Sequence, residues 1–169
     1  MTRSNASIAA LLACAAIAHA SGDLPDALTR QAVMDAILVR GHAQAADNLR
    51  TIAATWIGRV RDCELVAVVS SMRPGVSQSY RACQDGIEEV AGVAPAAPRD
   101  ASYRRLVSDA AGRALLYGAA LGDYSGYRIL SRRVGLPTTA DGCAHVETLV
   151  THGEHLVDRI IERVCPRMR

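Results

Sequence analysis

Three observations predict an all-α fold for this 169-residue chain. Alanine is the commonest residue and, together with Leu and Arg, favours helix. Apolar residues recur at three- and four-residue spacing through most segments, and Val and Ile are scattered rather than gathered into alternating runs. The expected architecture is a single helical bundle of five or six helices, spanning residues 22–169 and stapled by two disulfides.

Residues 1–20 read as a signal peptide. Arg3 is followed by an apolar stretch from Ile8 to Ala18 and by Ala18-His19-Ala20, a small-residue cleavage pattern. A stretch of about 11 residues is too short to span a bilayer. Leu11-Leu12-Ala13-Cys14 offers a competing lipoprotein reading, and only lipidation of Cys14 would bring a membrane into play. Both readings place the domain in the periplasm or outside the cell.

The first helix is expected after Asp23-Leu24-Pro25-Asp26, with Pro in the first turn and acids near the positive dipole end. It carries Leu28, Val33, Ile37 and Leu38 and ends at Gly41. Leu49, Ile52, Ala53, Trp56, Ile57, Val60, Cys63 and Ala67 share helical phase, which predicts a second helix that closes before Arg73-Pro74-Gly75. A third takes Val76, Tyr80, Cys83, Ile87, Val90 and Ala91 on one face, ahead of the stiff Ala94-Pro95-Ala96-Ala97-Pro98 connection.

Asp100 or Ser102 caps a fourth helix bearing Tyr103, Leu106, Val107, Ala110, Ala114, Tyr117 and Leu121. Asp123 to Val134 reads as a short fifth helix ending at Gly135-Leu136-Pro137. Thr138, Thr139 or Asp141 caps the last, which runs to Cys165-Pro166 with Val146, Leu149, Val150, Gly153, Val157, Ile160, Ile161 and Val164 on its core face. No internal repeat is evident.

With Cys14 removed, Cys63, Cys83, Cys143 and Cys165 form an even set, which in an exported chain favours two disulfides. No Cys-x-x-Cys or Cys-x-x-Cys-His supplies a zinc, redox or haem-attachment motif. If Cys143 and Cys165 bracket one continuous helix they stand about 33 Å apart, whereas bridged Cα atoms lie within about 7 Å. The expected pairing therefore ties each of them back to Cys63 or Cys83. The rival joins Cys63 to Cys83 across the Arg73-Pro74-Gly75 turn and requires the last helix to break at Gly153.

Every one of the 19 basic residues is Arg, which excludes lysine-dependent amine and P-loop chemistry. A net charge of +2 argues against nucleic acid as partner. No Gly-x-Ser-x-Gly elbow is present, and Glu88-Glu89 diverge on a helix. His152 and His155 are the candidate metal ligands, with His42 as a distant contributor, although no His-Glu-x-x-His spacing supports them. Arg128, Arg132, Arg133, Tyr124, Tyr127, His145, His152 and Arg159 form the candidate partner-binding set, since Arg and Tyr are enriched at interfaces.

These features predict a non-enzymatic, exported protein-binding module without a cofactor: an inhibitor, immunity or accessory protein of an envelope or secretion system that docks on another envelope or secreted protein. The alternatives are a metal- or small-ligand-binding helical protein using the last helix's histidines and, behind it, a helical secreted enzyme.

Overall fold

The computed structural model describes residues 25–135 and 141–166. The signal-peptide and Cys14 readings, and the proposed caps at Thr138 and Thr139, lie outside the described residues. Two of the expected helices form where the capping signals put them. Asp26 accepts hydrogen bonds from the Leu28 and Thr29 amides and opens α1 (Ala27–Val39). Its end is set one residue earlier than expected, by Arg40 in the left-handed conformation. Asp100 accepts from the Tyr103 amide and opens α2 (Ala101–Tyr117), which stops at Gly118.

The other expected helices are strands, so the helical bundle is overturned: 49% of the described residues are strand, in two antiparallel sheets. Sheet A has the order β1 (His42–Ala46), β2 (Thr51–Val60), β3 (Cys63–Ser70), β4 (Ser77–Cys83), β5 (Gly86–Glu89). Sheet B has the order β6 (Ala119–Tyr124), β7 (Tyr127–Val134), β8 (Ala144–His152), β9 (His155–Val164). Every connection within a sheet is between neighbours. Tight turns set the registers. Tyr124 pairs with Tyr127 around Ser125-Gly126, both at positive φ, and His152 pairs with His155 around Gly153-Glu154.

The last predicted helix is thus a hairpin that turns at Gly153, which brings Cys143 and Cys165 together. The disulfides are Cys63–Cys83 and Cys143–Cys165, so the expected cross-linked pairing is also overturned. A continuous helix was the premise that forbade the local pairing, and a hairpin removes it. The even cysteine count did indicate two bridges.

One plan occurs twice. Each half is an N-capped helix followed by a meander, with a disulfide clasping the far ends of the meander's third and fourth strands. The helices bury corresponding small residues, Thr29, Ala32, Val33 and Ala36 in α1 and Val107, Ala110, Ala111 and Ala114 in α2. α1 covers the Ile52, Ala54, Val66, Val68 and Tyr80 face of sheet A. α2 covers the Ile129, Val146 and Val150 face of sheet B.

The opposite faces of the two sheets meet through Ile57, Leu65 and Ala67 of sheet A and Leu149 and Leu156 of sheet B, which gives four layers, α/β/β/α. The sheets cross. His42 of β1 lies in the field of Glu147 and Arg159, while Arg81 of β4 pairs with Glu154 in the β8–β9 turn. Sheet A's strand order therefore runs along sheet B's strands.

Candidate functional site

The inner face of sheet B can be read from its register. Side chains of cross-strand partners project to the same side, so successive rows across the sheet are Asp123, Arg128, Thr151, Leu156; then Leu121, Leu130, Leu149, Arg159; then Ala119, Arg132, Glu147, Ile161; and finally Val134, His145, Arg163. Sheet A covers the middle of this array. The last row, together with Ile161, is left uncovered. Val134 is 49% and Ile161 54% exposed, and His145 and Arg163 are exposed beside them. Leu121, 63% exposed, stands open at the outer strand of the same face.

The centre of the array is ionic. Glu147 is 3% exposed and accepts from Arg132 Nε and Arg159 Nε, each at 2.7 Å. Arg132 also donates to the Arg40 carbonyl at 2.6 Å, tying the end of α1 to sheet B. Burial alone raises the Glu147 pKa, but the hydrogen bonds and charges of Arg159 and Arg132 outweigh it and hold the carboxyl below the usual Glu range. Glu147 is thus a fixed anion that locks the inter-sheet layer, a role unlike that of a proton donor poised near neutrality. His42 sits 3.2 Å from the Thr55 hydroxyl, and its pKa is lowered first by burial and then by the charge of Arg159.

The residues singled out in the sequence scatter over both faces. Arg132 and Arg159 are engaged with Glu147. Arg133 lies on the helix-facing side and donates to the Leu115 carbonyl, holding the end of α2. Tyr124 donates to Asp100, the α2 cap, at 2.8 Å, and Tyr127 donates to the Ala96 carbonyl at 3.2 Å. His152 rests on the Tyr127 ring, with centroids 4.9 Å apart. Arg128 is exposed in the first row. Of the candidate partner-binding set, only His145 lies in the uncovered row.

His152 and His155 are brought together, as cross-strand neighbours beside a turn rather than a helical turn apart. Among the described residues, the one cluster of three metal-capable groups is Asp141, Cys143 and Cys165, and both of its sulfurs are spent in a disulfide. Sequence reasoning missed Glu147, Val134 and Ile161. The signal for Glu147 was present in Val146-Glu147-Thr148-Leu149-Val150, an acid set singly within a β-branched apolar run.

No protein-family model matches the chain, and comparison with curated proteins and with solved structures finds no match either. What the chain itself supplies is environmental. Two disulfides point to an oxidising, extracytoplasmic location. No helix among the described residues is long and apolar enough to cross a membrane.

Proposed function

We propose that the chain is a non-enzymatic protein-binding module of the periplasm or extracellular space, an inhibitor, immunity or accessory protein that docks on another envelope or secreted protein. The observation that carries this reading is the uncovered end of sheet B's inner face. Val134 and Ile161 are exposed there beside His145 and Arg163, on a face whose centre, at Glu147, Leu149 and Leu156, is buried against sheet A. Apolar side chains flanked by an Arg and a His, on strands fixed by a nearby disulfide, have the composition and rigidity of a protein contact. The scaffold supports the reading too, since ordered strands lose little entropy on docking.

Site-specific photo-crosslinking in the exporting cell tests it. With the crosslinker at 134 or 161, one discrete adduct of constant mass is expected, and none with it at position 105 on the solvent side of α2. Equal adducts from all three positions, or none from 134 and 161, would overturn the proposal.

A further inference from the structure

Where α2 overhangs β9, the edge strand of sheet B, the structure has a cleft of about 400 Å³. Its floor is formed by Tyr103 and Ile160, and it is walled by Arg99 and Arg104 on the helix side and by Asp158 and Glu162 on the strand side. Two features set it apart from an incidental surface dent. First, two cations and two anions line one cleft, and none of these four side chains makes an ion pair among the described residues. The Asp158 carboxylate accepts only from the neighbouring Arg159 amide. Second, Tyr103 is 4% exposed and its hydroxyl, buried, has no hydrogen-bond partner. A buried orphan hydroxyl is a standing cost unless something completes it. That hydroxyl lies in the field of Asp158, which adds to burial in raising the Tyr103 pKa.

We propose that this cleft binds a small zwitterion of the amino-acid class, a free amino acid or dipeptide with an apolar side chain. The ligand carboxylate meets Arg99 and Arg104, whose planar donors suit it. Its ammonium meets Asp158 and Glu162, and its side chain covers Ile160 and the Tyr103 ring. The Tyr103 hydroxyl gains its missing partner from the ligand's polar end. The volume lies at the lower end of the range for small-molecule sites, enough for one or two residues. This inference is independent of the protein-docking surface, which is on the opposite face of sheet B.

Backbone-amide NMR of the disulfide-intact protein tests it, with L-leucine as probe and leucinamide and N-acetyl-leucine as partners that each lack one charge. Leucine is expected to shift the amides of 99–108 and 158–162 saturably, and each single-charge analogue to bind at least about tenfold more weakly, the equivalent of about 1.4 kcal/mol. Asp158→Asn and the Arg99→Ala/Arg104→Ala double variant should each lose leucine binding while distant amides stay unshifted. Tyr103→Phe should weaken leucine binding without lowering the melting temperature, since the hydroxyl contributes no bond in the empty protein. A dipeptide that binds more tightly than leucine identifies the longer ligand. Absence of a saturable shift with both leucine and Leu-Leu, equal binding of the analogues, or unchanged binding in the variants would overturn the inference.

Discussion

The two halves of the molecule share a plan and differ in two places. From their first cysteines, Cys63-Glu64-Leu65-Val66-Ala67-Val68-Val69 and Cys143-Ala144-His145-Val146-Glu147-Thr148-Leu149 run in step. Val66 and Val146 are both fully buried under their helices. One residue later the halves diverge: Ala67 lies in the small apolar patch between the sheets, while Glu147 anchors two guanidiniums there. The other difference is β5, which covers the edge of β4 in sheet A and has no counterpart in sheet B among the described residues. The first half therefore acts chiefly as a lid, and the second carries the charge lock, the uncovered row and the open β9 edge. The shared plan gives each half its own helix-covered sheet and disulfide, and only the second half also exposes the uncovered row.

The disulfides sharpen this comparison with the largest expected effect. They close loops of similar sequence separation, 20 and 22 residues. Cys63→Ala/Cys83→Ala and Cys143→Ala/Cys165→Ala should each cost about 3 kcal/mol in chemical denaturation, nearly equally. A strongly unequal pair would show that the halves are not energetically equivalent. Next comes Glu147→Ala, which leaves Arg132 and Arg159 facing each other without their anion. Both reach partly to solvent, so the expected loss is about 2 kcal/mol, below that for a fully buried pair. A measured change under about 0.5 kcal/mol, the usual surface value, would break the asserted asymmetry. Smaller still is Asp26→Ala, which removes the α1 cap at a cost of about 1 kcal/mol.

Between pH 8 and pH 3 the stability should fall in two windows. The His42 pKa is lowered in the fold, so the unfolded chain takes up a proton first as the pH drops below about 6.5 and stability declines from there. The Glu147 pKa is lowered too, so its contribution is present above the unfolded value of about 4.3 and is lost as the pH falls through the folded value. Melting temperatures measured from pH 8 to pH 3 should fall in both windows. His42→Gln should flatten the upper one. Glu147→Gln should shallow the lower one without abolishing it, because Asp26, Asp47 and Asp100 are also held below their ordinary range.

Much of the fold was hidden by its layering. The sequence announced both helices through Asp26 and Asp100, because caps are local signals. It also announced two bridges through four cysteines. The strands were not legible, because β2, β3 and β8 are covered on both faces, by a helix on one side and by the other sheet on the other. Double coverage erases the polar/apolar alternation that marks a half-buried strand. The resulting apolar runs, such as Ile52-Ala53-Ala54-Thr55-Trp56-Ile57, match helical spacing by accident. Two signals pointed the other way: the density of Val, Ile and Thr from Val146 to Val164, and the Ser125-Gly126 and Gly153-Glu154 turns. The recurrence of a cysteine three residues before a buried valine, Cys63 with Val66 and Cys143 with Val146, was the trace of the repeat. The site was less legible still, since the row Val134, His145, Arg163 exists only through strand register.

Non-reducing proteolysis of the exported protein followed by mass spectrometry tests the central claim, that each half is a meander closed on itself. The account predicts one peptide pair joining Cys63 to Cys83 and another joining Cys143 to Cys165. A bond from either Cys63 or Cys83 to Cys143 or Cys165 would contradict it, since it would bind the halves to each other and leave neither hairpin clasped.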